Sequence, residues 1–205
     1  MKKFATGKIT SMVTRFPKIT VFSIQLLLIC ALVLTFILPA LSSSYSTSQN
    51  PECSVTLLKN RDYFPAMIKA IHGAEKEIVM SLFLFKTNGY RKNYPDRLLN
   101  NLIRAAERGI KVKILLEIGK DSNSQINKNN METAKRLKNG GIDVYFDSLH
   151  TTTHTKVVVI DRRYTFLGSH NLTNSALKYN NELSIFIDST KVARETLSYI
   201  DSLYR

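Results

Sequence analysis

Apolar residues fall into short runs separated by polar turns, and their spacing alternates between the periods of strand and helix. Residues 54–58 read as a strand. Asp62 is a candidate N-cap for a helix through His72, in which Phe64, Met67, Ile68 and Ile71 share a face. Residues 77–85, EIVMSLFLF, are apolar enough to lie inside a sheet. An irregular segment follows over 87–95. Asp96 caps a helix through Arg108, which Gly109 ends. Residues 110–118 return as a strand, 120–130 read as a polar loop, and 131–139 as a helix that Gly140-Gly141 stops. Strands at 142–146 and 182–187 and a helix over 190–204 complete the pattern. Helix, glycine and strand, twice in succession, predict an α/β sheet with crossover helices.

Between the last two of those strands lies the segment richest in chemistry. Val157, Val158, Val159 and Ile160 form a β-branched run, 161–164 supply a turn, and Thr165-Phe166-Leu167 resume the extended pattern, which predicts a hairpin. With Arg162 and Arg163 as the two turn residues, Asp161 faces Tyr164, Lys156 faces Ser169 and His154 faces Asn171. Cross-strand Cβ atoms then lie within about 5.5 Å, and alternation puts the four polar groups on one face. A three- or four-residue loop would slip the register, and a one-residue slip turns Lys156 and His154 away from Asn171. In the two-residue register an imidazole that can attack phosphorus sits beside an ammonium and an amide able to hold the non-bridging oxygens. Asp161 has the wrong parity to join them and reads as a turn and orientation residue, its carboxylate accepting backbone N–H groups of the Asp-Arg-Arg turn.

His154-x-Lys156-x4-Asp161, followed by Gly168-Ser169-x-Asn171, resembles the HKD signature of the phospholipase D superfamily. The likeness runs from about Ser54 to Arg205 and is nearest to short single-motif bacterial endonucleases and mitochondrial cardiolipin hydrolase-like members. The resemblance implies an α-β-α sandwich around a mixed sheet, in one domain over 54–205. It also implies a catalytic set of His154, Lys156, Asp161 and Glu182. In that family the histidine becomes phosphohistidine, the lysine and asparagine hold phosphate, here Lys156 and Asn171 with Ser169 beside them, and a glutamate at the place of Glu182 orients the ring. Thr155, His170 and Leu172 depart from the family's common residues. His150 and His170 flank the motif as possible substrate contacts. No metal or other cofactor is required by this chemistry. Phosphodiester cleavage through phosphohistidine needs an acid opposite the nucleophile. One H-x-K therefore implies a homodimer with a composite site.

The first part of the chain changes the picture of where this chemistry happens. Residues 1–18 form a basic tail, 19–41 are an almost unbroken apolar run without a charge, and 42–53 are a polar tether. This 23-residue run is long enough to span a bilayer as an uncleaved anchor, and Ala40-Leu41-Ser42 also fits the end of a secretory signal peptide. The cations precede the run, so either reading exports the domain: as the extracytoplasmic part of a single-pass cell-membrane protein, or as a secreted or periplasmic one. The two cysteines, Cys30 and Cys53, build no disulfide framework. Of the 29 Lys and Arg residues, five lie in 1–41, leaving 24 against 16 Asp and Glu, a net +8 for the rest. That charge suits a nucleic acid or an anionic bilayer surface. The 87–95 segment, with Tyr90, Arg91, Lys92 and Tyr94, can line a groove for single-stranded nucleic acid, dip into a lipid interface, or be a solvated loop. The sequence therefore points to a metal-independent phosphodiesterase, either a nuclease or a phospholipase acting on membrane phospholipids. An idle nucleic-acid-binding module is at odds with the intact His154, Lys156, Asn171 and Glu182.

Overall fold

The computed structural model describes residues 53–204; the basic tail, the apolar run 19–41 and nearly all of the tether lie outside them. Among the described residues no helix is long and apolar enough to cross a membrane. Cys53 is an exposed free thiol.

Seven strands form one mixed sheet in the order β1 (Ser54–Lys59), β7 (Leu183–Asp188), β6 (Tyr164–Gly168), β5 (Lys156–Ile160), β2 (Glu77–Leu82), β3 (Lys111–Leu116), β4 (Asp143–Phe146). β2, β3 and β4 run parallel because α2 (Tyr94–Glu107) and α3 (Gln125–Asn139) carry the chain back between them. The β5–β6 hairpin, β7 and β1 are antiparallel. The β-branched run of β5 is central, so both of its faces are covered. Val158 and Ile160 join the main core with α1 (Tyr63–His72), α2, α3 and the short α4 (Asn174–Lys178). Val157 and Val159 pack on the other side with Ala193 and Ile200 of α5 (Thr190–Leu203). Helices thus flank the sheet on both faces.

The hairpin register differs from the sequence expectation by one residue. Ile160 pairs with Tyr164 and Val157 with Leu167, so the loop holds three residues, Asp161, Arg162 and Arg163. Asp161 and Arg162 adopt φ of 55° and 56°, and the Arg163 N–H donates to Ile160 O at 3.1 Å. Asp161 accepts the left-handed conformation because its carboxylate is held from outside the turn, by the N–H groups of Glu75, Lys76 and Glu77 at 2.8–3.0 Å.

The helix expected over 131–139 begins at Gln125, capped by the Ser124 hydroxyl. Its first two turns hid from a hydrophobic pattern because Asn127, Asn130 and Thr133 are buried polar residues. Asn130 donates to Phe83 O and Glu117 O and accepts from the Phe85 N–H, tying the ends of β2 and β3 to the helix. Asp96 likewise lies inside α2 instead of capping it. It accepts from the N–H groups of Asn88 and Gly89 and from the Asn93 amide, and pairs with Arg136 at 2.6 Å. Burial alone would raise its pKa, but these donors hold its carboxyl below the usual range.

Candidate active site

The site stands at the end of the sheet where β5 begins and β6 ends. Lys156, the first residue of β5, is buried, whereas His154, two residues earlier, is exposed. Lys156 Nζ donates to the His154 carbonyl at 2.9 Å and lies 3.4 Å from Nε2 and 3.5 Å from Nδ1 of the same residue. Phe83 meets the imidazole edge-on, with centroids 4.4 Å apart, and its ring also lies 5.1 Å from Lys156 Nζ. The nucleophile candidate is thus braced by an aromatic wall and a cation. Burial pushes the Lys156 ammonium's pKa down, and the negative charge of Glu182 offsets part of that shift.

Two short segments across the sheet end complete the cluster. The Ser169 hydroxyl donates to Glu182 Oε2, and the Asn180 amide donates to Oε1 at 3.1 Å. The Ser169 hydroxyl also accepts the Leu183 N–H at 3.0 Å. Gly168 permits this approach: a Cβ there would lie 2.4 Å from Ser184 Cα and 2.2 Å from its Oγ. Asn171 follows on a turn whose Leu172 N–H donates to Leu84 O. Its Oδ1 is closed off from solvent without a protein partner. Among the described residues no donor reaches this amide oxygen, and the amide's NH2 is the group that can donate to a phosphate. Glu182 makes no hydrogen bond to His154.

The approach to His154 is clamped from below. The Thr153 N–H donates to Glu117 Oε2 at 2.6 Å and its hydroxyl donates to Asp147 Oδ2. On the other side, Thr155 O accepts from the Phe83 N–H at 2.7 Å, and the Thr155 and Ser81 hydroxyls are bonded at 2.6 Å. Burial raises the Glu117 pKa, the Thr153 N–H works against that shift, and the Asp147 charge adds to it. Sequence reasoning missed Phe83, Glu117, Asp147 and Asn180. The signal for Glu117 was an acid ending an apolar strand.

Two sequence assignments change. Asp161 is at the opposite end of the five-residue β5 from His154, roughly 17 Å of strand away, and anchors the entry to β2; it takes no part in the cluster. His170 is fully buried. It stacks on Tyr63 at 4.3 Å, Nε2 donates to Asn60 O at 2.9 Å, and Nδ1 therefore accepts from the Ser184 hydroxyl at 2.7 Å. Burial lowers its pKa, although the Asn60 carbonyl and the charge of Glu182 oppose the shift, which keeps the ring a neutral brace between the 3-10 turn and β7. His150 is exposed.

A buried lysine, an exposed imidazole and an orphaned amide gathered at the mouth of a mixed sheet match one known constellation. The family described as "Cardiolipin synthase, PLD-like domain" matches residues 67–204. The chain belongs to the phospholipase D superfamily. Within it, the chain is 34% identical to a protein named phospholipase D from Rickettsia prowazekii over 128 residues, 61% of this chain and 60% of that one. It thus spans less than two thirds of the length of the curated relatives it matches. Among solved structures, the fold resembles the phospholipase D family member Nuc from Salmonella typhimurium, with TM-score 0.62, 24% identity, and coverage of 74% of this chain and 94% of that one. NucT from Helicobacter pylori gives 0.59 and 22%, covering 74% and 95%.

Proposed function

We propose that this superfamily phosphodiesterase is a metal-independent nuclease that cleaves through a phosphohistidine. The observation that carries the reading is the pairing of exposed His154 with buried Lys156. Attack by an imidazole nitrogen forms the N–P bond as the P–O bond to the leaving group breaks, and the leaving oxygen takes a proton from an acid on the far side. Water then attacks phosphorus, that second group accepts the water's proton, and His154 is released. Lys156 and the Asn171 amide stabilise the charge on the non-bridging oxygens.

The acid is assigned to the partner subunit's His154 in a homodimer. An apolar sheet face supports that assembly. Across the face that carries α5, Val157, Leu167, Ile185 and Leu57 follow one another in register, and so do Val159, Thr165, Ile187 and Val55. α5 covers the β5 and β6 part of these rows and leaves the β1 end open; Leu57 is 52% and Val55 59% exposed. Leu167 and Leu183, also exposed, continue this face to the residues flanking Gly168 and Glu182. A second copy laid on that surface covers it and meets the first at the site.

A second reading, phospholipid hydrolysis, draws on the printed name of the Rickettsia relatives and on the apolar run 19–41. In either reading we assign the catalytic domain to the extracytoplasmic side, tethered if 19–41 is retained and free if it is removed. The test is turnover of single-stranded DNA, RNA, phosphatidylcholine and cardiolipin by the full-length protein in EDTA. Cleavage of a nucleic acid in chelator, inhibited by vanadate and abolished by His154→Ala, is the expected result. Loss of activity in EDTA restored by a divalent ion would overturn the mechanism.

A further inference from the structure

Three cations beside the site have no carboxylate partner among the described residues, whose ion pairs involve Arg136, Arg162 and Arg163 instead. The 3-10 turn at Asn60–Asp62 is locked to Glu182, the residue before β7: the Asn60 N–H donates to Glu182 O at 2.9 Å, and Asn60 Oδ1 accepts the Glu182 N–H at 2.8 Å. Arg61, next in this turn, donates through Nε to Lys178 O at 3.2 Å. Lys178 Nζ stands 5.1 Å from the Tyr179 ring and 5.8 Å from the Tyr94 ring. Tyr94 stacks on Phe64 at 4.3 Å, and the Arg97 guanidinium lies 5.0 and 5.3 Å from these two rings. Two clefts of about 520 and 560 Å³ meet at Arg61, one lined by Lys178 and Tyr179, the other by Tyr94 and Arg97.

Aromatic faces hold Arg97 and Lys178, and the Lys178 carbonyl holds Arg61, without neutralising them, so their mutual repulsion is relieved by a polyanion. Tyr179, 66% exposed, has Lys178 Nζ over its ring and is otherwise open to solvent. It is the one exposed large hydrophobic residue lining either cleft, and the only exposed or half-buried aliphatic side chains in their walls are Pro65 and Ile68, too little to enter a bilayer. Duplex bases are hidden from such a ring, whereas those of a single strand can stack on it.

We propose that Arg61, Lys178 and Arg97 bind successive phosphates of a single-stranded nucleic acid leading away from the scissile bond, with a base stacked on Tyr179. The proposal rests on the nuclease reading and names its substrate class. The test compares full-length wild type, Arg61→Gln/Arg97→Gln/Lys178→Gln and Tyr179→Ala, after thermal melts establish that each is folded. A single-stranded oligonucleotide and bis(p-nitrophenyl) phosphate, too small to reach the clefts, serve as substrates. For the oligonucleotide, the slope of log(1/KM) against log salt should weaken by about 2 in the triple variant, from about 0.7 per phosphate contact. Tyr179→Ala should raise its KM roughly ten-fold. Both variants should turn over the small diester at the wild-type rate. An unchanged oligonucleotide KM and salt slope, with cleavage intact, would overturn the track while leaving the nuclease reading standing. Wild type that hydrolyses the small diester but no oligonucleotide would overturn both. Loss of co-sedimentation with phosphatidylglycerol vesicles in the triple variant, with oligonucleotide kinetics unaltered, would reassign the surface to lipid and sink the proposal.

Discussion

Gly168→Ala should damage stability and chemistry together, because the new methyl would meet backbone. A Cβ at this position lies 2.4 Å from Ser184 Cα and 2.5 Å from its Cβ, so β6 and β7 must separate locally by roughly 1 Å to restore ordinary van der Waals spacing. That stretch acts on the adjoining Ser169 N–H to Leu183 O hydrogen bond, now 3.0 Å. Overpacking costs about 1–3 kcal/mol and a weakened hydrogen bond about 0.5–1.5 kcal/mol, so the loss is about 3 kcal/mol. For a domain of this size Tm falls by about 6–12 °C. Ser169 moves with the strand, and its bond to Glu182 and the neighbouring Asn171 lose register; a displacement near 1 Å lowers kcat about 100-fold. Urea titration and single-turnover kinetics read the two effects. Ser184→Gly in the same chain should return only part of each, since the new methyl still presses on the β7 backbone. A Gly168→Ala protein within about 0.5 kcal/mol of wild type and with unchanged kcat would refute the reasoning.

Lys156→Met should abolish oxyanion binding yet raise Tm at neutral pH. The folded protein lowers the pKa of Lys156, so the ammonium costs stability below that pKa, and the cost fades as pH rises toward the unfolded value; the gain should shrink in melts over the same range. Tungstate affinity should fall as Lys156 deprotonates, and Glu182→Gln, which removes the charge opposing the downward shift, should move that fall to lower pH. Thr153→Val should lower kcat with little change in KM, because the Asp147 carboxylate loses its donor and the residue before His154 loses an anchor. The Glu117 pKa is raised on folding, so its charge costs stability above that pKa; Asp147→Asn, which removes one cause, should stabilise the protein more at neutral than at acid pH, as read by melts across that range. Refolding equal amounts of wild type and His154→Ala should give about a quarter of the all-wild-type activity under random pairing, whereas independent sites would give about half.

The chemistry was legible wherever residue type and spacing act locally. The β-branched run of β5, the glycine stops after α2 and α3, and the motif from His154 to Asn171 all declare themselves within a few residues. Partners brought in from distant elements were not. The hairpin loop reads as two residues until one knows that Asp161 is held by the amides of 75–77, which stabilise its left-handed backbone. The start of α3 reads as loop because its asparagines are spent on the carbonyls that end β2 and β3, a use no hydrophobic period records. Glu117, Asp147 and Thr153 converge only because β3, β4 and the segment before β5 finish at the same edge of the sheet.

The central claim, covalent catalysis by His154, is tested most directly by the stereochemical course at phosphorus, using a chiral phosphorothioate diester in isotopically labelled water. Attack by imidazole followed by attack by water inverts the centre twice, and the account predicts net retention. Net inversion would show one direct displacement by water and would contradict it.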